Sequence, residues 1–252
     1  MRRAVLVMGL TVFVACRPAP GRAVAADSTD MAAAAAADGE MASMGSMAGD
    51  PHMKMTPTWP LAPGDSARAR ALVTEVRTAL GKYRDVRVAV ADGFKEFLPN
   101  VKNQRVYHFT NWRHALAARF GFDPASPTAL LYQQDSAGGM RLVGVMYTEA
   151  PSTSLDELNR RVPLSIAHWH EHVNWCLPPR GALGRWRDSS GGKPVFGPFG
   201  PIVTPAACDS AGGRFVPRVF GWMVHVNAFA GDDPKVIWAV EPPEPSGAHA
   251  KM

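Results

Sequence analysis

Three of the eight histidines of this chain alternate along one short segment. They are His168, His170 and His172, within residues 165–176. In a β-strand, side chains at positions i, i+2 and i+4 leave the backbone on the same face. Imidazole is also the commonest metal ligand among protein side chains. The spacing therefore predicts a strand with a metal site on one face.

Strand geometry limits how many of the three can bind one ion. Residues two apart in a strand stand about 6.5–7 Å apart at Cα, so two imidazoles meet at one ion more easily than three. Two more histidines occur in strand-like segments, His108 in residues 107–109 and His225 in residues 222–227. We expect two ligands from the triplet and the others from His108 and His225. The alternative is a polar strand face whose histidines are solvated or satisfied in the core.

The choice of metal depends on the ligands. Sites made only of histidine suit zinc, copper, iron and nickel. A segment rich in methionine precedes the predicted domain, with Met41, Met44, Met47, His52, Met53 and Met55. Thioethers are soft ligands that select Cu(I). We therefore expect copper or zinc, and the alternative for this segment is an Ala/Met-biased linker that binds nothing.

A catalytic site would need more than the histidines. A metal-dependent hydrolase, oxidase or oxygenase needs an open coordination position and a pocket. Glu171 points away from the triplet on a regular strand, so Glu149 is the better candidate for a general base. A serine-hydrolase site is not indicated, since the chain has no Gly-x-Ser-x-Gly motif.

The first residues have the pattern of a signal peptide. Two arginines precede an apolar run over residues 4–14, and a small residue followed by Cys16 ends it. This predicts a lipoprotein that is cleaved after residue 15, lipidated at Cys16 and anchored to a membrane on its extracytoplasmic side. The alternative is an ordinary signal peptide cut near residues 19–26, which would leave a soluble periplasmic or secreted protein.

The remaining cysteines and the charge balance are also informative. Outside the cytoplasm, Cys176 and Cys208 are expected to form a disulfide, although Cys176 as a thiolate ligand is the alternative. Loss of the two arginines of the signal peptide lowers the net charge from +5 to +3. That charge is too small and dispersed to indicate a nucleic-acid partner. The expected partners are a metal ion and, through the lipid, a membrane.

Composition divides the chain into four parts. A signal peptide (1–15) precedes a disordered tether rich in Met and Ala (16–63), a single globular domain (64–241) and a disordered tail (242–252). Apolar spacing predicts a long first helix from Asp65 or Ser66 to Gly93, which Gly81 weakens. Strands are then expected at residues 105–109, 128–133, 140–148, 164–175, 218–229 and 236–240, and short helices at 111–120 and 155–161. The fold class is therefore α+β, with one long N-terminal helix packed on a mostly antiparallel sheet and a long Pro/Gly-rich loop at 178–216.

Several motifs resemble an uncharacterised group of secreted bacterial proteins. The resemblance covers residues 70–230 and is carried by residues 86–93, Tyr107-His108-Phe109, residues 129–132, residues 142–147 and the histidine strand at 168–172. It implies that the domain is one unit and that His108 belongs to it. It transfers no activity, and the methionine-rich segment is not part of the shared pattern.

Three functions remain open at this point. The first is an extracytoplasmic metal-binding lipoprotein that handles copper or zinc. The second is an enzyme with a His-ligated zinc, copper or iron. The third is an envelope interaction module without a metal, in which the histidines would be scattered.

Overall fold

The computed structural model of the chain describes residues 49–99 and 104–243. The fold is α+β, and its main sheet has eight strands that pair antiparallel. The predicted signal peptide, Cys16 and residues 16–48 of the predicted tether lie outside the described residues, as do residues 244–252 of the predicted tail. Within the described ranges, no helix combines the length and the apolar character needed to cross a membrane.

The main sheet has the order β1-β6-β10-β5-β4-β3-β2, and β9 pairs with β6 beside this path. Two further strands, β7 and β8, form a separate hairpin within the predicted Pro/Gly-rich loop. The strands are β1 (Met53–Met55), β2 (Lys95–Glu96), β3 (Tyr107–Thr110), β4 (Ala129–Gln134), β5 (Met140–Glu149), β6 (His170–Leu177), β7 (Ser189–Ser190), β8 (Lys193–Pro194), β9 (Arg214–Arg218) and β10 (Trp222–Val226).

Six α-helices accompany the strands in the described part of the chain. They are α1 (Asp65–Leu80), α2 (Val86–Ala91), α3 (Trp112–Ala117), α4 (Leu155–Arg161), α5 (Pro205–Ser210) and α6 (Pro234–Ile237), and 3-10 helices cover Gly81–Arg84 and Leu183–Arg187. The first helix is shorter than predicted, because the chain tightens into a 3-10 turn at Gly81 and restarts with Asp85 as the N-cap of α2. Poor helix propensity at glycine and a capping aspartate explain the break.

The two faces of the main sheet pack against different partners. One face packs against Leu72, Val76 and Leu80 of α1, and it carries most of the large core residues. The other face carries a smaller apolar cluster of Val106, Ala129, Leu131, Val143, Met146 and Met223. The four histidines of the sheet, His108, His170, His172 and His225, lie on this second face.

A disulfide joins Cys176 in β6 to Cys208 in α5, with Cα atoms 5.5 Å apart. It sits in a third apolar cluster that includes Trp175 and Phe196. Gly213 is packed so closely that a Cβ there would stand 2.5 Å from the Cys176 sulfur. The disulfide therefore anchors the long loop onto β6, and a free Cys176 thiolate is excluded as a metal ligand.

Besides the first helix, other predicted elements differ from the observed ones. The predicted strand at 218–229 is reduced to β10 at Trp222–Val226, because β9 ends at Arg218. The predicted tether contains β1, because Met53–Met55 adds to the edge of β6. The predicted strand at 164–175 begins only at His170, since Pro163 starts a turn in which the amides of Ile166 and Ala167 bond to its carbonyl. No strand forms at 236–240, because residues 236 and 237 end the short helix α6, which has Asp233 as the N-cap and Pro234 in its first turn.

Candidate metal centre

Four histidines from three strands share the second face of the sheet. His108 is in β3, His170 and His172 are in β6, and His225 is in β10. The strand pairing shows that these four histidines lie on one face, since directly paired residues on neighbouring strands point to the same side of the sheet. His170 pairs with Met223, two residues before His225, and Met146 pairs with both His225 and Ala129. Ala129 also pairs with Thr110, two residues after His108.

The sheet is curled so that distant strands meet across this face. On a flat sheet, β3 and β10 would lie roughly 14 Å apart, because β4 and β5 separate them. The rings of His108 and His225 nevertheless have centroids 5.8 Å apart. A register irregularity at Leu131/Tyr132 contributes to this curl. Gly144 contributes as well, because it allows a close backbone approach: a Cβ there would stand 2.7 Å from the Val226 carbonyl oxygen.

The four imidazoles form a continuous group. The centroid distances are 5.8 Å for His108–His225, 5.1 Å for His225–His170 and 5.7 Å for His170–His172. Two imidazoles bound to one ion at about 2.0–2.1 Å have centroids roughly 4.5–6.5 Å apart, depending on the coordination angle. Each of the three adjacent pairs therefore has a spacing that two rings bound to one ion can have.

Burial keeps these imidazoles neutral. It lowers the pKa of His108 and of His172 to about 4 and that of His225 to about 3, and it holds the pKa of His170 well below its usual value. The neighbouring histidines lower the pKa of His170 and His225 further, because like charges would repel. A neutral imidazole is the form that binds a metal.

The outer nitrogens of two rings are held as they are in metal ligands. Nδ1 of His225 is hydrogen-bonded to the Val240 carbonyl, and the ring of His108 is hydrogen-bonded to the carbonyl of Val106. Such bonds fix the tautomer and leave the second nitrogen free to coordinate. In His170, Nδ1 is buried and has no hydrogen-bond partner. A buried nitrogen without a partner is rare and needs an explanation, and a bound ion provides one.

The rings are neighbours, but their donor atoms do not converge on one point. Within residues 49–99 and 104–243, no group of three or more His, Cys, Asp or Glu side chains is already placed to hold a metal ion. The four rings would have to turn about their side-chain bonds to direct their nitrogens at one point.

The structure places His168 apart from this group. It precedes β6, and its Nδ1 and Nε2 lie 3.1 Å from the Thr56 carbonyl and 3.3 Å from the Thr58 hydroxyl. The expected i, i+2, i+4 alternation fails here because the backbone before His170 is a turn and not a strand. His52 is also engaged elsewhere, since both ring nitrogens contact carbonyl oxygens, those of Asn174 and Gly200.

Two aromatic side chains, Trp175 and Phe220, lie beside His172. Asn174 has a φ of 59°, a left-handed conformation that asparagine tolerates better than most residues. This residue reorients β6, so Trp175 comes to lie beside His172 with ring centroids 5.4 Å apart. Phe220 lies 6.3 Å from His172 on another side. The position of Phe220 depends on the turn between β9 and β10, and no local sequence pattern indicates it.

Glu149 does not reach the histidines. It pairs with Trp222, on the face opposite His225, and its buried carboxylate forms an ion pair with Arg161. It lines a cavity of about 350 Å³ made with residues 117–126. Glu171 also faces away, as expected, and bonds to Lys54 and Arg218. The suggested general base is therefore placed on the wrong side of the sheet for chemistry at the histidines.

The chain matches no protein-family model, and it shows no significant similarity to any curated protein or solved structure. The resemblance to a group of secreted bacterial proteins stays a prediction.

Proposed function

We propose that this protein is an extracytoplasmic metal-binding protein whose ion is held by His108, His170, His172 and His225. The observation that carries the proposal is the contact of four imidazoles from β3, β6 and β10 on one concave face. The separation of each adjacent pair is one that two rings bound to the same ion can have, and burial favours the neutral form of the rings.

The arrangement favours a metal over the two other functions. Scattered histidines were expected for an interaction module, but here four of them are neighbours. Glu149, the candidate general base of the enzyme hypothesis, cannot act at the histidines, because it lies on the opposite face in an ion pair. His108 and His172 are partly buried and keep some contact with solvent, while His170 and His225 are buried. An ion would therefore enter from the side of His108 and His172.

The metal is proposed to be copper or zinc, which histidine sites bind well. The test is metal content after the purified protein is loaded with one equivalent of Zn²⁺ or Cu²⁺ and desalted. We expect about one bound ion per chain and loss of that ion in the variant His170→Asn with His225→Asn.

His168→Asn is the matched control, because His168 belongs to the same sequence triplet but lies outside the group. It should retain the ion. The proposal is wrong if the unsubstituted protein retains no metal, or if the double variant retains as much as the control.

The proposed location is the outer side of a membrane, through lipid at Cys16. It is supported by the sequence around the predicted cleavage position and by the Cys176–Cys208 disulfide, which suits an oxidising compartment. Fractionation of cells that express the full chain tests it. Cys16→Ser should move the protein from the membrane fraction to the soluble fraction, and an unchanged distribution would contradict the anchor.

A further inference from the structure

We propose that the histidine site takes Cu(I), with the thioethers of Met53, Met55 and Met223 as ligands beside His170 and His172. This inference rests on the proposed metal-binding function and adds both an oxidation state and a second ligand type to it.

The strand register places these methionines next to the histidines. Met55 pairs with His170 across the β1–β6 ladder, and Met223 pairs with His170 from the other side. Met53 pairs with His172. Directly opposed residues in antiparallel strands have Cβ atoms about 4.5–5.5 Å apart and point to the same face. His170 is therefore flanked by a methionine on each side, and His172 has one as well.

Flexibility lets these side chains reach a common ion. Methionine has three rotatable side-chain bonds and adapts its sulfur position to its surroundings. Met223 is buried, whereas Met53 and Met55 are only partly buried on an edge strand of three residues. Met53 and Met55 belong to none of the three apolar core clusters. Core packing therefore accounts for Met223 but not for the two methionines of β1.

The charge of the ligand set favours a monovalent ion. The imidazoles and thioethers are all neutral, and Glu149 and Glu171 face the opposite side of the sheet. Asp50 is the acidic side chain whose charge acts on His172, and it supplies at most one compensating negative charge. Burying an ion without compensating negative charge costs less for one positive charge than for two. Thioether and imidazole together are also the ligands that suit Cu(I) by softness.

Side chains alternate between the two faces along β1, so Met53 and Met55 face the histidines while Lys54 does not. Lys54 points to the other face, where its ammonium lies 3.2 Å from Glu171 and 4.8 Å above the Trp222 ring. This contact holds β1 against β6 while its two methionines face the histidines. Composition predicts that Met53 and Met55 belong to a disordered tether, whereas the register makes them part of the folded sheet.

The experiment compares Cu(I) and Zn²⁺ affinities of the full chain under anaerobic conditions, by competition with a chromophoric chelator for each ion. The variant Met53→Leu with Met55→Leu keeps the volume and apolar character of the strand. We expect its Cu(I) affinity to fall at least tenfold, while its Zn²⁺ affinity stays within about threefold, because the imidazoles are intact. Met223→Leu should show the same selectivity.

Met140→Leu is the control, since Met140 begins β5 and packs against the core on the opposite face. It should change neither affinity. X-ray absorption of the Cu(I)-loaded protein should show sulfur scatterers, and their number should fall in the double variant, which keeps only the thioether of Met223.

Unchanged Cu(I) affinity in the methionine variants, or a copper shell of nitrogen alone, would overturn this inference and leave the histidine site standing. Failure of the unsubstituted chain to bind either ion would overturn both proposals.

Discussion

Lys54 and Glu171 face each other across the β1–β6 ladder, and their ion pair, 3.2 Å long, lies on the side of the sheet opposite the histidines. The carboxylate of Glu171 is fully buried, and Arg218 of β9 contacts its second oxygen at 2.9 Å. One acidic side chain thus links three strands, and it fixes the strand on which Met53 and Met55 lie.

The first prediction concerns this buried carboxylate. Lys54→Met and Arg218→Met should each lower the free energy of unfolding by about 1–2 kcal/mol, because the other cation still pairs with Glu171. The double variant should lose roughly 3–5 kcal/mol, since the buried charge is then unpaired. Urea unfolding of the four proteins measures this coupling. Strict additivity of the two single losses would show that the cations do not share the carboxylate.

The second prediction is that the metal-free protein becomes less stable as pH falls from 7.5 to 5. Burial lowers the pKa of His108 and His172 to about 4 and of His225 to about 3. Below the ordinary histidine pKa of about 6.5, the unfolded chain binds protons that the folded chain does not. Each pH unit below this value therefore costs up to about 1.4 kcal/mol per histidine.

Urea unfolding at several pH values tests this dependence. Replacement of His225 by phenylalanine should make the dependence shallower, because one titrating group is removed. A free energy of unfolding that stays constant between pH 7.5 and 5 would contradict the burial of the four rings.

The third prediction concerns the disulfide. Replacing Cys176 and Cys208 by serine opens a loop with a sequence separation of 32. The chain-entropy relation gives a loss of about 3–4 kcal/mol for a loop of this size. Denaturant unfolding of the variant, beside the oxidised parent, measures the loss. Because Cys176 lies in the strand that carries His170 and His172, weaker metal binding should accompany it, and equal stability of the two proteins would refute the expectation.

The fourth prediction separates Glu149 from the metal site. Arg161→Met leaves the buried Glu149 without its ion-pair partner and should cost roughly 3–5 kcal/mol. Glu149→Gln with Arg161→Met should recover part of that loss, because the unpaired charge is removed. Metal content should be equal to that of the parent in both variants, as these side chains lie on the face opposite His225. Loss of metal in a variant that remains folded would place Glu149 at the site after all.

Local patterns predicted some of this structure well. The helix at Leu155–Arg161 and the hairpin of β4 and β5 follow from capping, turn residues and β-propensity. Alternation correctly paired His170 with His172 on one face, but it also included His168, because the turn begun at Pro163 is not visible in the histidine spacing.

The contact between His108 and His225 could be suggested only as a hypothesis. It depends on a curl across β5 and β4, to which a register irregularity and the close approach at Gly144 contribute. Long-range curvature of this kind has no signature in a single strand. The membership of Met53 and Met55 in the sheet was missed for a related reason. A strand of three residues in a low-complexity region has too little pattern to be recognised, and its partner lies more than a hundred positions away.

The position of β1 has a practical consequence for how this protein is produced and studied. A truncated chain that begins at residue 64, where composition alone places the start of the domain, would lack β1. This strand covers the edge of β6. The backbone amides and carbonyls beside His170 and His172 would then be open to pairing with other chains, as exposed sheet edges are. Such a shortened protein should self-associate, and its failure to bind metal would say nothing about the native site.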